Sequence, residues 1–389
     1  MRLITSGESH GPALVTILEG LPAGLPLNPE IINVELARRQ QGYGSGPRMK
    51  LEQDEVQILA GVMEGKTTGS TVALLIPNRD HDRWRGKAVE PFTAPRPGHA
   101  DLTGAIKYGH RDLRLALERA SARETAARVA GGAVCKHLLS QFGITIGGYV
   151  VAIGEVNAEL DMPYQDRFSR AEASDVRCPD PVSAEAMQAR IRQAISQRDT
   201  LGGIIEVIAL GLPAGLGSYA QWEQRLDARL GAAALSVQAI KGVEIGPAFE
   251  NTRLPGTQAH DAIRLDDATG RLYRPTDRSG GLEGGITTGQ PLVVRAAMKP
   301  IATTLSPQST VDLASGQEAP TNYERSDFCP VPRAVPILEA MIGFVLADAL
   351  LEKLGGDSLD DLRVRYAALR KAQLADLPMD QEPHIFWPE

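Results

Sequence analysis

Two histidines sit in settings that could do chemistry. His10 follows Glu8 and Ser9 and is fenced by Gly7 and Gly11. His99 closes the run Arg96-Pro97-Gly98-His99. A polar turn after a short edge strand accounts for the first cluster by itself. The alternative is a His and a Ser held on a tight turn beside a ligand. The second run resists the plain reading, because Pro and Gly constrain the backbone just before the ring. An imidazole is the side chain suited to protonating a leaving group near pH 7.

His99 lies in a basic stretch. Between Arg96 and Lys136 the chain carries Arg96, Lys107, Arg111, Arg114, Arg119, Arg123, Arg128 and Lys136, opposed by Asp101, Asp112, Glu118 and Glu124. In a chain of net charge −7 this is a local positive field suited to phosphate or carboxylate. A solvated helix face with pairs such as Glu124–Arg128 would account for Arg123 and Arg128, but not for Arg-Pro-Gly-His.

Other stretches are weighed in the same way. AGVMEGKTTG at Ala60–Gly69 imitates a phosphate loop but is one residue short, and TVALLIP after it reads as a strand. A turn between strands explains it. RSGGLEGGITTGQPL at Arg278–Leu292 is a glycine-rich connection, or a place where backbone amides approach a cofactor phosphate. It lacks the dinucleotide fingerprint. AMKPIATT adds a cation and hydroxyls, and RSDFCPVPRAVP adds Arg325 and Asp327 ahead of a helix. The seven His show no metal-ligand spacing, so no metal is expected. A serine hydrolase using Ser9 or Ser121 lacks the G-x-S-x-G elbow.

The elements that must position these residues alternate. Strands are expected at Ala13–Leu18, Val56–Ala60, Thr71–Ile76, Ile144–Ile153, Ile204–Leu210 and Pro291–Met298. Asn28-Pro29-Glu30 is a helix start. Helices are expected at Leu113–Phe142, bent at Gly131-Gly132 and ended by Gly143, at Ser183–Gln197, and at Val335–Leu354. GLPAGL occurs at Gly20–Leu25 and again at Gly211–Leu216, each after a strand and before a helix. This echo implies two related α+β halves with pseudo-twofold symmetry inside one domain, 1–389.

Composition narrows the class. The chain has 389 residues, 43% hydrophobic and 23% charged, which is ordinary for a globular protein. With 41 basic against 48 acidic side chains it is not a general nucleic-acid binder. Its three cysteines form no C-x-x-C and fit a reducing compartment. No secretory signal and no membrane-length apolar run is seen, so a cytoplasmic protein is expected.

Taken together, GESHG, RRQQGYGSGPRM, RPGHAD, ERASARETAAR, QAIKGVEIG, GGLEGGITTGQPL, MKPIATT and RSDFCPVPRAVPILEAM run in order along nearly the whole chain. As a set they resemble the chorismate synthase family. The resemblance implies a β-α-β sandwich with antiparallel sheets and internal pseudosymmetry. It implies an anti 1,4-elimination of phosphate from 5-enolpyruvylshikimate 3-phosphate, with reduced FMN (FMNH2) as cofactor. It implies a homotetramer whose reduced flavin comes from an external reductant. A flavin reductase using NAD(P)H is the alternative.

By the same resemblance His99 is the general acid for phosphate departure. His10 lies at the flavin ring, and Asp327 near flavin N5 assists proton removal. Arg119, Ala120, Ser121, Gln238, Ala239, Gly284, Lys299, Pro300, Ile301, Ala302, Thr303 and Arg325 would contact FMN. Arg39 and Arg48 would bind anionic groups of the substrate or of NADP. One departure stands out: the family's GYGRG is GYGSG here, so Ser45 replaces an Arg and loses its charge and bidentate fork. Arg48 or another cation is expected to cover that anion.

Overall fold

Alternation in Ala13–Glu19 buries Leu14, Thr16 and Leu18 on one face of a strand. In the computed structural model, which describes residues 1–44, 53–324 and 326–387, this strand is the second of an antiparallel sheet. The sheet comprises β1 (Arg2–Ser6), β2 (Ala13–Glu19), β3 (Gln57–Ala60) and β4 (Val72–Pro77), in the order β1-β2-β4-β3. A second antiparallel sheet holds β5 (Thr145–Ile153), β6 (Gly203–Leu210), β7 (Ile240–Ile245) and β8 (Leu292–Met298), ordered β5-β6-β8-β7. The two sheets thus run their strands in the same order, with the two-residue strand Val156–Asn157 added beside β5.

Among the helices are α1 (Pro29–Gln40), α2 (Asp101–Tyr108), α3 (Arg114–Ala120), α4 (Thr125–Ser140), α5 (Pro181–Ser196), α6 (Leu226–Leu235) and α7 (Val331–Leu354). α4 lies on β2 and β4, α7 lies on β5 and β6, and the two helices pack along each other. The result is an α+β sandwich of sheet, helices and sheet. α1 starts as its sequence asks: the Asn28 side chain accepts from Ile31 N at 3.1 Å and Pro29 occupies the first turn.

The long helix expected from Leu113 breaks elsewhere than at its glycines. Ser121 is extended at φ −61°, ψ 141°, and its hydroxyl caps the short turn Ala122–Glu124 before α4 begins. α4 then runs unbroken through Gly131-Gly132. The glycines serve packing instead: a Cβ on Gly132 would overlap Ala340 of α7, its carbonyl oxygen being 2.7 Å away. A missing side chain lets two helices approach closely; it need not bend either.

α7 begins at Val331, earlier than expected, because Pro332 is tolerated in a first turn. It is long and apolar enough to cross a membrane, yet 83% of its apolar window is buried inside the protein. Glu339 in its middle is fully buried and meets Arg38 of α1 and Lys136 of α4, each at 2.6 Å. Burial pushes the Glu339 carboxyl up, but these two cations outweigh it and hold the group ionised. α7 is the core helix of the sandwich.

The two GLPAGL turns are clamped alike. Thr67 Oγ1 donates to Pro22 O and accepts from Leu25 N, and Thr287 Oγ1 donates to Pro213 O and accepts from Leu216 N. Each threonine belongs to a small hairpin, Val62–Thr67 or Leu282–Thr287. The phosphate-loop lookalike and the later glycine-rich stretch are therefore matching structural turns.

Candidate active site

At the end of β1 the chain turns on Gly7, whose φ is +113°. A Cβ there would sit 2.5 Å from the Ala13 carbonyl oxygen, so only glycine fits. The turn carries Ser9 and His10 against α3. Ser9 N donates to Glu118 O at 3.1 Å, and His10 N donates to Glu118 Oε2 at 2.8 Å. His10 Nδ1 lies 2.6 Å from Glu118 Oε1. One carboxylate thus holds both the backbone and the ring of His10. The Trp84 indole covers the imidazole, with ring centres 4.2 Å apart. Burial pushes the Glu118 carboxyl up, but the hydrogen bond from His10 and its charge prevail, and Glu118 sits below its ordinary range. With Nδ1 committed to an ionised Glu118, proton exchange is left to Nε2.

His99 is built the same way. The turn at Gly98 (φ +75°) brings its ring beside Asp101, the first residue of α2, with Nδ1 2.5 Å from Asp101 Oδ1. Asp101 is fully buried, and Arg96 grips it with Nε to Oδ2 at 2.8 Å and Nη2 to Oδ1 at 3.0 Å. Arg96 also donates to Thr303 Oγ1 at 3.0 Å. Burial raises the Asp101 carboxyl, but the His99 and Arg96 hydrogen bonds outweigh it and hold the group far below the usual carboxylate range. An ionised Asp101 orients the His99 ring through Nδ1.

Both histidines line one cavity of about 480 Å³. Asp327 joins them there, ion-paired with Arg333, whose Nε donates to Arg39 O at 3.2 Å. Arg39 and Arg123 are buried in the wall and share the carboxylate of Asp54. Arg123 is therefore not on a solvated helix face, as its spacing allowed; only the Glu124–Arg128 pair forms as expected, at 2.9 Å. The break at Ser121 turns Arg123 inward.

Ala120, Ser121, Gln238, Ala239, Lys299, Ile301, Ala302 and Thr303 also line this cavity. Ser121 Oγ lies 3.2 Å from Ser9 Oγ, joining the two segments. Gln238 donates to Glu124 Oε2 at 3.1 Å, while its own Oε1 is buried without a partner among the described residues. Ala239 adopts φ +67°, and its carbonyl accepts from Lys299 N. Three expected contacts fall outside the lining. Arg119 is half-exposed and donates to Thr5 O at 3.1 Å; Pro300 is exposed; Gly284 sits in the turn of the hairpin that clamps the second GLPAGL. Arg48, Arg325 and Ser45 lie outside the described residues.

Trp84, Asp101 and Glu118 were not singled out from sequence as site residues. Asp101 has a local signal, two residues after His99 beside a Pro-Gly turn. Glu118 is 108 positions from His10, and no spacing rule reaches that far.

The comparisons with known proteins converge. The family model described as chorismate synthase matches residues 1–351. A chorismate synthase of Trichlorobacter lovleyi is 53% identical over 379 residues, covering 93% of this chain and 97% of that protein. That of Aquifex aeolicus is 50% identical over 387 residues, covering 94% and 96%. A solved structure titled "Crystal Structure of Chorismate Synthase" superposes with a TM-score of 0.78 at 45% identity, covering 94% of this chain and 96% of that one.

Proposed function

Because this chain belongs to the chorismate synthase family and is a lyase of aromatic amino-acid biosynthesis, we propose that it eliminates phosphate from 5-enolpyruvylshikimate 3-phosphate to give chorismate, in a 1,4-anti sense, with reduced FMN held in the 480 Å³ cavity. The observation that carries this reading is the convergence of His10, His99 and Asp327, each fixed by a charged partner, on that cavity. Its volume falls within the range of about 300–1,000 Å³ typical of ligand sites.

The residues present fit a flavin. Gln238 Oε1 is a buried acceptor awaiting a donor. Leu117, Ala120, Ile301 and Ala302 offer apolar wall for a flat ring, and Lys299 offers a cation for its phosphate. When bound, the reduced flavin supplies electron density to the breaking carbon–oxygen bond. His99 donates from Nε2 to the departing phosphate, with Asp101 holding its ring in place through Nδ1. His10 holds its proton toward the flavin ring from Nε2. Asp327 receives the proton that leaves carbon, and its ion pair with Arg333 holds the carboxylate in place. The substrate's phosphate and two carboxylates meet Arg39, Arg96, Arg123 and Arg333 in the walls. Arg48 and Arg325 remain proposed contacts of substrate and flavin, together with Arg119, Pro300 and Gly284. The enzyme acts in the cytoplasm as a homotetramer, takes reduced flavin from an outside reductant, and engages neither nucleic acid nor membrane.

The test is anaerobic turnover of 5-enolpyruvylshikimate 3-phosphate, following phosphate release and chorismate absorbance. Turnover with dithionite-reduced FMN and none with oxidised FMN is expected. Turnover without any flavin would overturn the cofactor assignment. Oxidation of NADPH with no other reductant would favour the flavin reductase.

A further inference from the structure

The two GLPAGL turns differ in one respect. In the first, Ala23 is bridged by the segment after α7: Ala23 N donates to Asp357 O and Leu359 N donates to Ala23 O, each at 2.8 Å. Leu359 is buried there, between Asp357 and Asp360 in the chain. Ala214 holds the matching place in the second turn. Among the described residues neither its N–H nor its carbonyl has a hydrogen-bond partner. Beside it lies a cavity of about 380 Å³, separate from the active site. Leu212, Leu272, Tyr366 and Leu369 make its apolar walls, Arg271, Arg370 and Lys371 stand around them, and no acidic residue lines it. Arg370 and Lys371 form no side-chain ion pair among the described residues, whereas Arg271 faces Asp266 across its hairpin and Arg274, also in the lining, pairs with Glu283.

We propose that this cavity is a docking slot for the C-terminal segment Met379–Trp387 of a second copy of the chain, which adds to Ala214 as Asp357–Leu359 adds to Ala23. The segment has the matching chemistry. It carries Asp380 and Glu382 and neither Lys nor Arg. Ile385, Phe386 and Trp387 stand 83%, 75% and 89% exposed, in a row. Pro383 lacks an N–H, which places the backbone bridge on the Ile385–Trp387 side. In its own chain the segment leaves these side chains in solvent and the slot empty. A slot and a plug on one surface are both satisfied by exchange about a twofold axis. The segment and the Tyr366–Gln373 wall lie beyond residue 351, where the match to the family model ends.

Two full-length variants, Phe386→Cys and Leu369→Cys, are mixed under mild oxidation. A disulfide-linked pair containing one of each is expected. An excess of free peptide of residues 378–389 should suppress it, and Arg271→Glu with Lys371→Glu in the slot-bearing chain should lower its yield about tenfold. A second readout leaves the slot unmutated: the Trp387 emission, taken as the difference from Trp387→Phe, should move to the blue as concentration rises from nanomolar to micromolar. Failure to form the mixed pair together with concentration-independent emission overturns the proposal. So does blue emission at nanomolar concentration without the mixed pair, which would mean that each chain docks its own tail.

Discussion

At the scale of single residues, the site is two histidines, each committed at Nδ1 to an ionised carboxylate. Removing the proposed acid, His99→Ala, should lower phosphate release by about 10²–10⁴-fold while substrate still binds, measured by rapid quench and by equilibrium titration. Asp101 has a second consequence, in stability. Asp101→Asn leaves the Arg96 guanidinium buried beside a neutral group, and breaking such a pair costs about 3–5 kcal/mol. Because the Asp101 carboxyl is lowered in the folded protein, its stabilisation is present above its unfolded value of about 4 and is lost as pH falls through the folded value. Urea unfolding should therefore show the full difference between wild type and Asp101→Asn at pH 6–7, and a shrinking one below about pH 4.

At the scale of elements, glycines decide how closely helices and turns approach. Gly132→Ala would gain about 1 kcal/mol in helix propensity. It should nevertheless destabilise by about 1–3 kcal/mol, because the added Cβ overlaps Ala340 across the α4–α7 contact; the thermal midpoint measures this. The turn before the second clamping hairpin holds a different device. Burial pushes the Asp277 carboxyl up to about 7, while Asp277 Oδ1 accepts from Gly281 N at 2.8 Å. A raised folded value means the native state prefers the protonated acid. The benefit is complete below the unfolded value of about 4 and disappears as pH rises through about 7. Asp277→Asn keeps the acceptor and removes the charge. Its thermal midpoint should equal that of wild type near pH 4 and exceed it at pH 8. We propose that the matching strand orders and the paired Thr67 and Thr287 clamps reflect two related halves of a single unit, residues 1–389.

At the scale of the whole molecule, the helix layer between two sheets buries everything that would react elsewhere. Burial pushes the thiols of Cys135 and Cys329 up to about 12 and that of Cys178 to about 11. A disulfide reagent should label none of the three in the native protein and all three in urea. The same layer explains why a helix apolar enough for a bilayer is a core element: one flank faces β5 and β6, others face α4, α6 and α1, and its buried carboxylate at Glu339 is answered by α1 and α4.

Much of this was legible in the chain itself. Strand alternation, the Asn28-Pro29 cap, Gly143 as a helix end and the duplicated GLPAGL are local, and local rules read them. His10, His99 and Asp327 announced themselves as a set because their motifs run in the family's order. The positions of Glu118 and Asp54 could not be read this way, because each meets its partner only once distant segments are stacked by the sheets. The break at Ser121 escaped for a related reason. Its neighbours are all helix formers, and what ends α3 there is the inward demand of Arg123 for Asp54 and Asn78 across the cavity wall. Local propensity is a sum over neighbours in sequence. That both glycine-rich hairpins became clamps and neither a wall of the active site was settled by neighbours in space.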